Sequence, residues 1–299
     1  MKTRGIAIHR YKLRSAGGLN SASSKTEFEG ALIRVEGGYG CLHPWPELGD
    51  EPLDQQLEKL AQGKMTPLIR QALACAKIDG EARRESLWLF DALTIPRSHF
   101  TAVGPAAAAN PEVIRGEGFT TVKLKSHADW KRWFDGGLRI RVDLNETGTV
   151  DELLHSWNRL SNEARESFDF FEDPVPFDEA DWSLLREAGI PLAADRDLEK
   201  RAEFADWLVV KPAVTEIPKS DRKIVITSYM DHAIGQLWAA YRAAVHRIDL
   251  DCGLLTHELF RPDPFFAELK RDGPYLIPPD GTGLGFDELL AGLDWESLT

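Results

Sequence analysis

The sequence predicts an α/β fold built around a barrel of parallel strands. Between residues 121 and 211, five short apolar runs each stop at an ionisable side chain, namely Lys125, Asp143, Glu172, Asp195 and Lys211. From about residue 99 to residue 252, strand patterns alternate with segments that can each hold one helix. Such alternation is typical of a parallel sheet covered by helices, and eight strands in this arrangement favour a (β/α)8-type barrel.

The expected barrel strands are short apolar runs that are separated by helical or turn-rich segments. They lie near residues 99–103, 121–125, 138–143, 168–172, 191–195, 207–211, 223–227 and 247–250. The expected helices cover residues 111–116, 128–134, 150–160, 178–188 and 232–244, with a short one after residue 198. Because the connection 212–222 is short and interrupted by proline, we expect no full helix there.

The first 95 residues follow a different pattern, which predicts a separate α+β lobe. Two strands are expected near residues 6–8 and 31–35, and turns between residues 37 and 46. Two helices are expected over residues 52–62 and 66–78, and Pro67 suits the first position of the second one. Residues 253–299 are rich in turns and are expected to pack back on this lobe. The predicted division is therefore 1–95, 96–252 and 253–299.

The chain is acidic, with 48 acidic and 36 basic residues and a net charge of −12. This charge repels phosphate backbones and anionic lipid, so neither nucleic acid nor a membrane is an expected partner. No apolar run approaches the ~20 residues of a spanning helix, and residues 1–14 lack the apolar block of a signal peptide. Cys41, Cys75 and Cys252 are far apart and fit a reducing compartment. We expect a cytoplasmic protein with a small-molecule substrate, and the sequence leaves its oligomeric state open.

Asp143, Glu172 and Asp195 would end the third, fourth and fifth strands of the barrel. Active sites of such barrels lie at the carboxyl ends of the strands, where side chains from different strands converge. Like charges raise each other's pKa, so three neighbouring carboxylates need a compensating cation. Because oxygen ligands with room for water suit Mg²⁺, the pattern predicts a magnesium site. Asp197 is a second candidate for the third ligand, and Asp195 is preferred because it directly follows the apolar run.

Lysines are expected on two sides of these carboxylates. Lys123 and Lys125 alternate with Val122 and Leu124, so both lysines face the same side of the second strand. Lys211 ends the sixth strand, beyond the acidic strands, and would approach a bound substrate from the opposite side. The combination predicts a reaction in which Mg²⁺ binds a substrate carboxylate, a lysine removes the adjacent proton and the metal stabilises the enediolate.

The ordered set of these motifs resembles the enolase superfamily and, within it, the muconate-lactonising branch. The matching pieces are Lys123-Leu124-Lys125, Asp143-Leu144-Asn145, Phe171-Glu172-Asp173-Pro174, Ala194-Asp195 and Val210-Lys211-Pro212. This resemblance implies a modified barrel of the (β/α)7β type. It also implies an α+β capping domain built from the N-terminal lobe and the C-terminal tail.

Within that branch the chain is most similar to the o-succinylbenzoate synthase family, through its compact length and its segment 224–228. The similarity implies Mg²⁺-dependent dehydration of 2-succinyl-6-hydroxy-2,4-cyclohexadiene-1-carboxylate to o-succinylbenzoate, in menaquinone biosynthesis. It implies metal binding by Asp143, Glu172 and Asp195. It further implies that Lys125 is the general base and then the acid, with electrostatic support from Lys123 and Lys211. Substrate contacts are implied at Asn145, Thr227 and Ser228.

Some features of the chain leave alternatives open. Asp195 is followed by Arg196, where relatives often carry a second acid. Asp249 and Asp251 resemble the Asp-x-Asp motif that dipeptide epimerases use to bind an amino group, and Lys125 with Lys211 could act as a two-base pair. A dipeptide or N-acylamino acid epimerase is therefore the alternative hypothesis. A Schiff-base aldolase using Lys211 and a barrel retained only for binding are hypotheses from other classes.

One loop of the first lobe is a candidate lid. Residues 19–24 are rich in small polar side chains, which allow a loop to close over the barrel mouth. An ordinary surface loop would have the same composition, so both interpretations remain.

Overall fold

The structure is a computed structural model that describes residues 5–15, 17–19, 25–125 and 129–298. Its first lobe contains an antiparallel sheet of β1 (Ala7–Arg14), β2 (Glu27–Val35) and β3 (Gly38–Leu42), in which β2 pairs with both neighbours. The helices α1 (Leu53–Ala61) and α2 (Pro67–Arg84) follow. The two strands and two helices expected from the sequence are present, with wider strand bounds and a longer second helix.

Strand β3 occupies a segment for which the sequence predicted only turns. Its glycines allow the strand to lie directly on α2, because a Cβ at Gly38 would stand 1.9 Å from the carbonyl oxygen of Ala76. A Cβ at Gly40 would stand 2.1 Å from the carbonyl oxygen of Ala72. The turn itself is shorter and centres on Glu36 and Gly37, both with positive φ. The glycines therefore serve the packing of strand on helix.

The second lobe is a curled sheet of seven parallel strands in the order β10-β9-β8-β7-β6-β5-β4. The strands are β4 (Phe100–Ala102), β5 (Thr121–Leu124), β6 (Arg139–Asp143), β7 (Phe168–Glu172), β8 (Leu192–Ala194), β9 (Trp207–Val210) and β10 (Lys223–Ile226). Each strand pairs with its neighbour in sequence. The seven strands lie where the sequence predicted them, and the α/β barrel fold is confirmed.

Helices cover the outside of this sheet. They are α3 (Pro111–Gly116), α4 (Trp130–Asp135), α5 (Val150–Asn158), α6 (Asn162–Ser167), α7 (Glu179–Glu187), α8 (Leu198–Arg201) and α9 (Ala233–Val245). Helix α6 is additional to the expected set. As expected, the connection between β9 and β10 contains no helix among the described residues.

The predicted eighth strand at residues 247–250 is wrong. That segment leaves α9 through a turn in which Arg247 has φ of 52°, and the eighth place in the barrel is taken by Cys252 and Gly253. Cys252 exchanges two backbone hydrogen bonds with the segment that leads into β4, and Gly253 exchanges two with the end of β10. These bonds join both edges of the seven-stranded sheet, so two residues close the ring in place of a full strand.

The last segment of the chain forms small elements and returns to the first lobe. They are α10 (Pro264–Glu268), the hairpin of β11 (Lys270–Asp272) and β12 (Tyr275–Ile277), α11 (Asp287–Ala291) and β13 (Glu296–Ser297). Strand β13 pairs antiparallel with β1 as the fourth strand of the first sheet.

A buried ion pair also ties this segment to α2. Arg83 donates to Asp79 Oδ2 at 2.7 Å and to the carbonyl oxygen of Gly285 at 2.7 Å, and it pairs with Asp287. It also donates to Thr282 Oγ1 at 3.3 Å. We call these five residues the clamp.

Two apolar clusters make the core. The larger one runs through the first lobe and fills the space between the barrel strands and their helices. The smaller one comprises Phe170, Ala193, Trp207, Val209 and Val225, whose side chains point to the inside of the barrel. No helix of the described residues is long and apolar enough to cross a membrane.

Candidate active site

Strand alternation explains why the charged residues converge. On β7 the inward Phe170 is followed by Phe171 on the outside and Glu172 on the inside; on β9 the inward Val209 precedes Val210 and Lys211 in the same way. Successive side chains of a strand face opposite sides, so every second residue points into the barrel. The interior contains apolar side chains at depth, with the buried Arg141 stacked 5.1 Å from the ring centre of Phe170, and carries ionisable side chains at the carboxyl ends of the strands.

A cavity of about 300 Å³ lies at this end of the barrel. Its lining includes eight of the nine residues that the sequence proposed for the site, namely Lys123, Lys125, Asp143, Asn145, Asp195, Lys211, Thr227 and Ser228. The ninth, Glu172, is 1% exposed and contacts Lys123. Cavities of this size hold small organic ligands. We call Lys123, Lys125, Asp143, Glu172, Asp195 and Lys211 the mouth cluster.

Lys123 lies between two carboxylates. Its Nζ donates to Glu172 Oε1 at 2.8 Å and lies 3.0 Å from Asp143 Oδ2. Burial alone would lower the pKa of Lys123, but the charges of Asp143 and Glu172 outweigh burial and raise it. Burial together with the charge of Asp143 raises the pKa of Glu172. Lys123 is therefore a fixed cation at the centre of the site.

The other two lysines each pair with one carboxylate. Lys125 Nζ donates to Asp143 Oδ2 at 2.5 Å, so this oxygen is shared by two ammonium groups. Burial tends to raise the pKa of Asp143, but Lys123 and Lys125 together hold it well below its usual range. Lys211 pairs with Asp195 Oδ2 and lies 5.9 Å from the ring centre of Tyr229. Lys125 and Lys211 thus come from β-strand ends that are four positions apart in the sheet.

Several polar atoms of the site are buried without a hydrogen-bond partner. They are Glu172 Oε2, Asp195 Oδ1, Asn145 Nδ2 and Thr227 Oγ1. Glu172 Oε2 does lie 2.7 Å from Lys123 Nζ, although the hydrogen bond of that ammonium is made to Oε1. Unpaired polar atoms are costly inside a protein, so their concentration here indicates a place prepared for a ligand.

The donor set fits a hard divalent cation. Asp143, Glu172 and Asp195 offer carboxylate oxygens only, and two of these oxygens lack hydrogen-bond partners. Among the described residues, no three histidine, cysteine, aspartate or glutamate side chains already stand as a metal-binding group. Lysine ammonium groups contact the same carboxylates. Oxygen-only ligands favour Mg²⁺ over softer metals.

The three proposed substrate contacts line the same cavity. Asn145 has φ of 47° in the turn after β6, and its Oδ1 accepts a hydrogen bond from Arg196 at 3.4 Å. Thr227 follows β10, and a Cβ at Gly253 would stand 2.8 Å from its Cγ2, which explains the glycine at that position. The Ser228 hydroxyl is already bonded to Thr256 Oγ1 at 2.5 Å.

Two polar cavity residues, Asp50 and His99, were not predicted from the sequence. Asp50 in the first lobe accepts hydrogen bonds from the Tyr229 hydroxyl at 2.9 Å and from the backbone N–H of Trp45 at 2.8 Å. His99 lies at the floor of the cavity, where burial and the charge of Arg141 lower its pKa. One sequence signal was available for His99: it lies on the predicted first strand at a position whose side chain faces the inside of the barrel, as do Thr101 and Val103.

Of the other candidate residues, Asp249 and Asp251 lie away from the cavity, whereas Asp197 and Leu19 line it. Asp251 accepts a hydrogen bond from Thr120 Oγ1 at 2.8 Å, at the amino-terminal end of β5, and Asp249 is exposed. The suggested amino-group site at Asp249 and Asp251 is therefore wrong, because these residues are not at the barrel mouth. The side chain of Asp197 is 65% exposed, against 11% for Asp195. Leu19 lines the cavity, and the remainder of the candidate lid, residues 20–24, lies outside the described residues.

A second layer of charges supports the loop that carries Asp195. The backbone N–H of Asp195 donates to Asp173 Oδ1 at 3.3 Å, and Arg201 Nη1 donates to the same oxygen at 3.3 Å. Arg201 also lies 2.7 Å from Glu146 Oε1 and stacks 5.1 Å from the ring centre of Phe177. This network holds the backbone of Asp195, the proposed metal-binding residue, in place.

Comparison with known proteins agrees with this architecture. Residues 6–82 match the family described as the N-terminal domain of o-succinylbenzoate synthase. The o-succinylbenzoate synthase of Bdellovibrio bacteriovorus is 34% identical over an alignment of 329 residues that covers 98% of both chains. A mandelate racemase/muconate lactonizing protein from Herpetosiphon aurantiacus shares the fold, with a TM-score of 0.74, 17% identity and coverage of 94% of this chain and 96% of that one. A dipeptide epimerase from Cytophaga hutchinsonii, in complex with Mg and a dipeptide, gives a TM-score of 0.74, 16% identity and coverage of 98% and 99%.

The capped barrel with lysines and carboxylates at its mouth has the fold of the mandelate racemase/muconate lactonizing proteins. The sequence similarity to an o-succinylbenzoate synthase covers 98% of both aligned chains and places this chain among the enzymes of the enolase superfamily. The chain belongs to the o-succinylbenzoate synthase family, a family of lyases.

Proposed function

We propose that the protein catalyses the Mg²⁺-dependent dehydration of 2-succinyl-6-hydroxy-2,4-cyclohexadiene-1-carboxylate to o-succinylbenzoate, as a step of menaquinone biosynthesis. The substrate is thus a small carboxylate. The observation that carries the proposal is the presence of Lys125, Lys211, Asp143 and Asp195 in one cavity, with Glu172 buried against Lys123 beside it. This arrangement occurs in a chain that is 34% identical to an o-succinylbenzoate synthase over nearly its whole length.

Lys125 is the group proposed to move the proton. In its neutral form, Nζ takes the proton from the carbon that bears the ring carboxylate, and it then gives a proton to the departing hydroxyl group. A C–H bond and a C–O bond break, one carbon–carbon double bond forms, and water leaves. Because both events occur on the same face of the ring, one lysine can act first as base and then as acid.

The remaining charges of the mouth cluster support that transfer. Bound Mg²⁺, held by Asp143, Glu172 and Asp195, would supply positive charge to the substrate carboxylate. Lys123 lies between Asp143 and Glu172 and adds a cation that these two carboxylates keep protonated in spite of its burial. Lys211 stands on the other side of the cavity and can stabilise negative charge that develops on the substrate.

The proposal is tested by following the conversion of the purified substrate with Mg²⁺, after treatment with EDTA and after Mg²⁺ is restored. We expect activity to disappear with chelation and to return with the metal. Thermal unfolding of the treated protein is the control, because a loss of folded structure would also abolish activity. Full turnover after chelation would contradict the proposed metal dependence.

An epimerase remains the alternative because both Lys125 and Lys211 line the cavity. The absence of Asp249 and Asp251 from the described cavity removes the feature that specifically suggested an amino-group site. Incubating dipeptides and N-acylamino acids with the protein and Mg²⁺ in heavy water distinguishes the two functions. Deuterium at the α-carbon without net dehydration activity would favour epimerisation.

A further inference from the structure

Arg196 lines the cavity immediately after Asp195, and the residue roles described above leave it without a function. We propose that Arg196 binds the second carboxylate of the substrate, the one at the end of the succinyl chain, and thereby determines specificity for dicarboxylates. This inference rests on the proposed function, because it assumes that the first carboxylate is bound at the mouth cluster.

The contacts of Arg196 are long compared with those of its neighbour Arg201. Glu146 lies 3.6 Å from Arg196 but 2.7 Å from Arg201. Asp173 lies 3.9 Å from Arg196 but 3.3 Å from Arg201. Both nearby carboxylates are therefore held by Arg201, and the guanidinium of Arg196 keeps a 3.4 Å hydrogen bond to the neutral Asn145 amide.

The lysines that line the cavity are committed to other charges. Lys125 is paired with Asp143 at 2.5 Å and Lys211 with Asp195, and Lys123 is shared between two carboxylates. Arg196 thus differs from them because its two carboxylate contacts, at 3.6 and 3.9 Å, are longer and are shared with Arg201. Its side chain is 34% exposed, so the guanidinium can reach a ligand in the cavity.

A guanidinium group suits a carboxylate ligand. Its planar fork of N–H groups can form two parallel hydrogen bonds to the two carboxylate oxygens, which gives both charge and direction. Asp197 also lines the cavity, but its side chain is 65% exposed and solvent weakens its repulsion of an anion. Arg196 follows Asp195 directly and lines the same cavity. A ligand whose first carboxylate lies at the mouth cluster can therefore present its second carboxylate to Arg196.

The test is Arg196→Gln, assayed with the substrate and with two inhibitors. We expect KM to rise about 10- to 100-fold, because the substitution removes a charge-assisted pair of hydrogen bonds. The kcat should stay close to the wild-type value. Inhibition by o-succinylbenzoate should weaken by a similar factor. Inhibition by the analogue in which the succinyl carboxylate is a primary amide should stay the same, because this analogue lacks the second charge. The KM of Arg196→Lys should lie between those of the wild type and Arg196→Gln.

Arg186→Gln is the matched control, since Arg186 has a similar 32% exposure and pairs with Asp206 away from the cavity. It should leave KM and both inhibition constants unchanged. Equal weakening of the diacid and the amide by Arg196→Gln would overturn the inference, because it would indicate a general disturbance of the site. Unchanged binding of the diacid would overturn it as well.

Mg²⁺ binding measured by calorimetry without substrate separates substrate binding from support of the metal. Removing a positive charge next to Asp195 should leave Mg²⁺ affinity equal or higher. Weaker Mg²⁺ binding by Arg196→Gln would overturn the inference and assign Arg196 to the support of Asp195. Failure of the proposed function is distinguishable, since it would appear as absence of turnover by the wild-type protein, while calorimetry with the diacid and the amide still tests Arg196.

Discussion

The clamp and the mouth cluster both bury cations beside carboxylates, yet they satisfy these charges differently. In the clamp, Asp79 is fully buried and accepts hydrogen bonds from Arg83 and from the backbone N–H groups of Tyr39 and Leu284. No polar atom of the Asp79 or Arg83 side chain is buried without a partner. In the mouth cluster, one oxygen of Glu172 and one of Asp195 lack hydrogen bonds.

The difference separates two uses of buried charge. Where every donor and acceptor is already paired, the ions can only hold two segments together, as the clamp holds α2 to the end of the chain. Where an oxygen such as Asp195 Oδ1 has no hydrogen bond beside a cavity, the folded protein carries a cost that a ligand can remove. Such sites are expected to lower stability while they provide function. Substituting one lysine of the mouth cluster and the arginine of the clamp, in separate variants, tests this distinction.

The largest expected effect is on catalysis, from Lys125→Met. This variant should lower kcat by about 10²- to 10⁴-fold, because it removes the proposed acid and base. Its free energy of unfolding should stay close to that of the wild type, since Asp143 keeps Lys123 as an ion-pair partner. The measurements are steady-state kinetics with Mg²⁺ and unfolding in urea. Activity within a few-fold of wild type would exclude Lys125 as the proton-transfer group.

The opposite result is expected from Arg83→Met in the clamp. Burial raises the pKa of Asp79, so its charge depends on the arginine, and removal of one partner of a buried pair typically costs about 3–5 kcal/mol. The free energy of unfolding in urea should fall by this amount, while kcat of the folded fraction stays near the wild-type value.

Lys131→Met is the control for Arg83→Met, because Lys131 belongs to an exposed pair with Asp135 and should leave stability unchanged. A variant Arg83→Met with normal stability would show that the clamp contributes nothing. A large fall in kcat at full stability would instead connect the clamp to the active site, and the proposed separation of roles would then fail.

Much of the barrel could be predicted because local patterns and the tertiary structure agree there. The apolar runs that end at Asp143, Glu172 and Lys211 are strands, and their period of two predicts which side chains face inward. Strand β3 was missed because Gly38 and Gly40 discourage a strand locally, whereas the close approach of α2 requires them. That requirement comes from residues more than thirty positions away and leaves no local signal.

Closure of the barrel was also beyond local patterns. Residues 247–250 have strand-like composition, but the hydrogen bonds that close the ring are made by Cys252 and Gly253 with both edges of the sheet. Likewise, Asp50 reaches the cavity only because the first lobe lies on the barrel mouth, where Tyr229 bonds to it. Contacts between lobes are set by packing and cannot be derived from the period of one segment.

Asp231 shows that a buried oxygen without a hydrogen bond is not by itself a sign of a functional site. Its Oδ1 is buried without a partner, as in the mouth cluster, but Asp231 does not line the cavity. Its carboxylate lies against the backbone of α9, where a Cβ at Gly235 would stand 2.0 Å from Asp231 Oδ2. An unpaired oxygen without a cavity should therefore affect stability and leave catalysis unchanged.

The pH dependence of Asp231→Asn tests this expectation. Burial raises the pKa of Asp231 to about 7, whereas an unfolded aspartate has a pKa of about 3.9. The folded protein therefore holds a proton that the unfolded chain has lost, and stability from this residue falls as pH rises from about 4 to about 7. Asn cannot ionise, so at pH 8 the variant should be more stable than wild type, by at most about 4 kcal/mol.

The surrounding groups should not obscure this difference. Burial raises the pKa values of Tyr11 and Cys41 and lowers those of His43 and His232 to about 3, so none of them titrates in the folded protein between pH 4 and 8. The histidines of the unfolded chain do titrate in this range, but they affect the wild type and the variant equally. The wild type and Asp231→Asn should converge in stability near pH 4 and diverge towards pH 8, with equal kcat throughout. Parallel stability curves would mean that Asp231 is ionised in the folded state, and a loss of kcat would give this unpaired oxygen a role in catalysis without contact with the cavity.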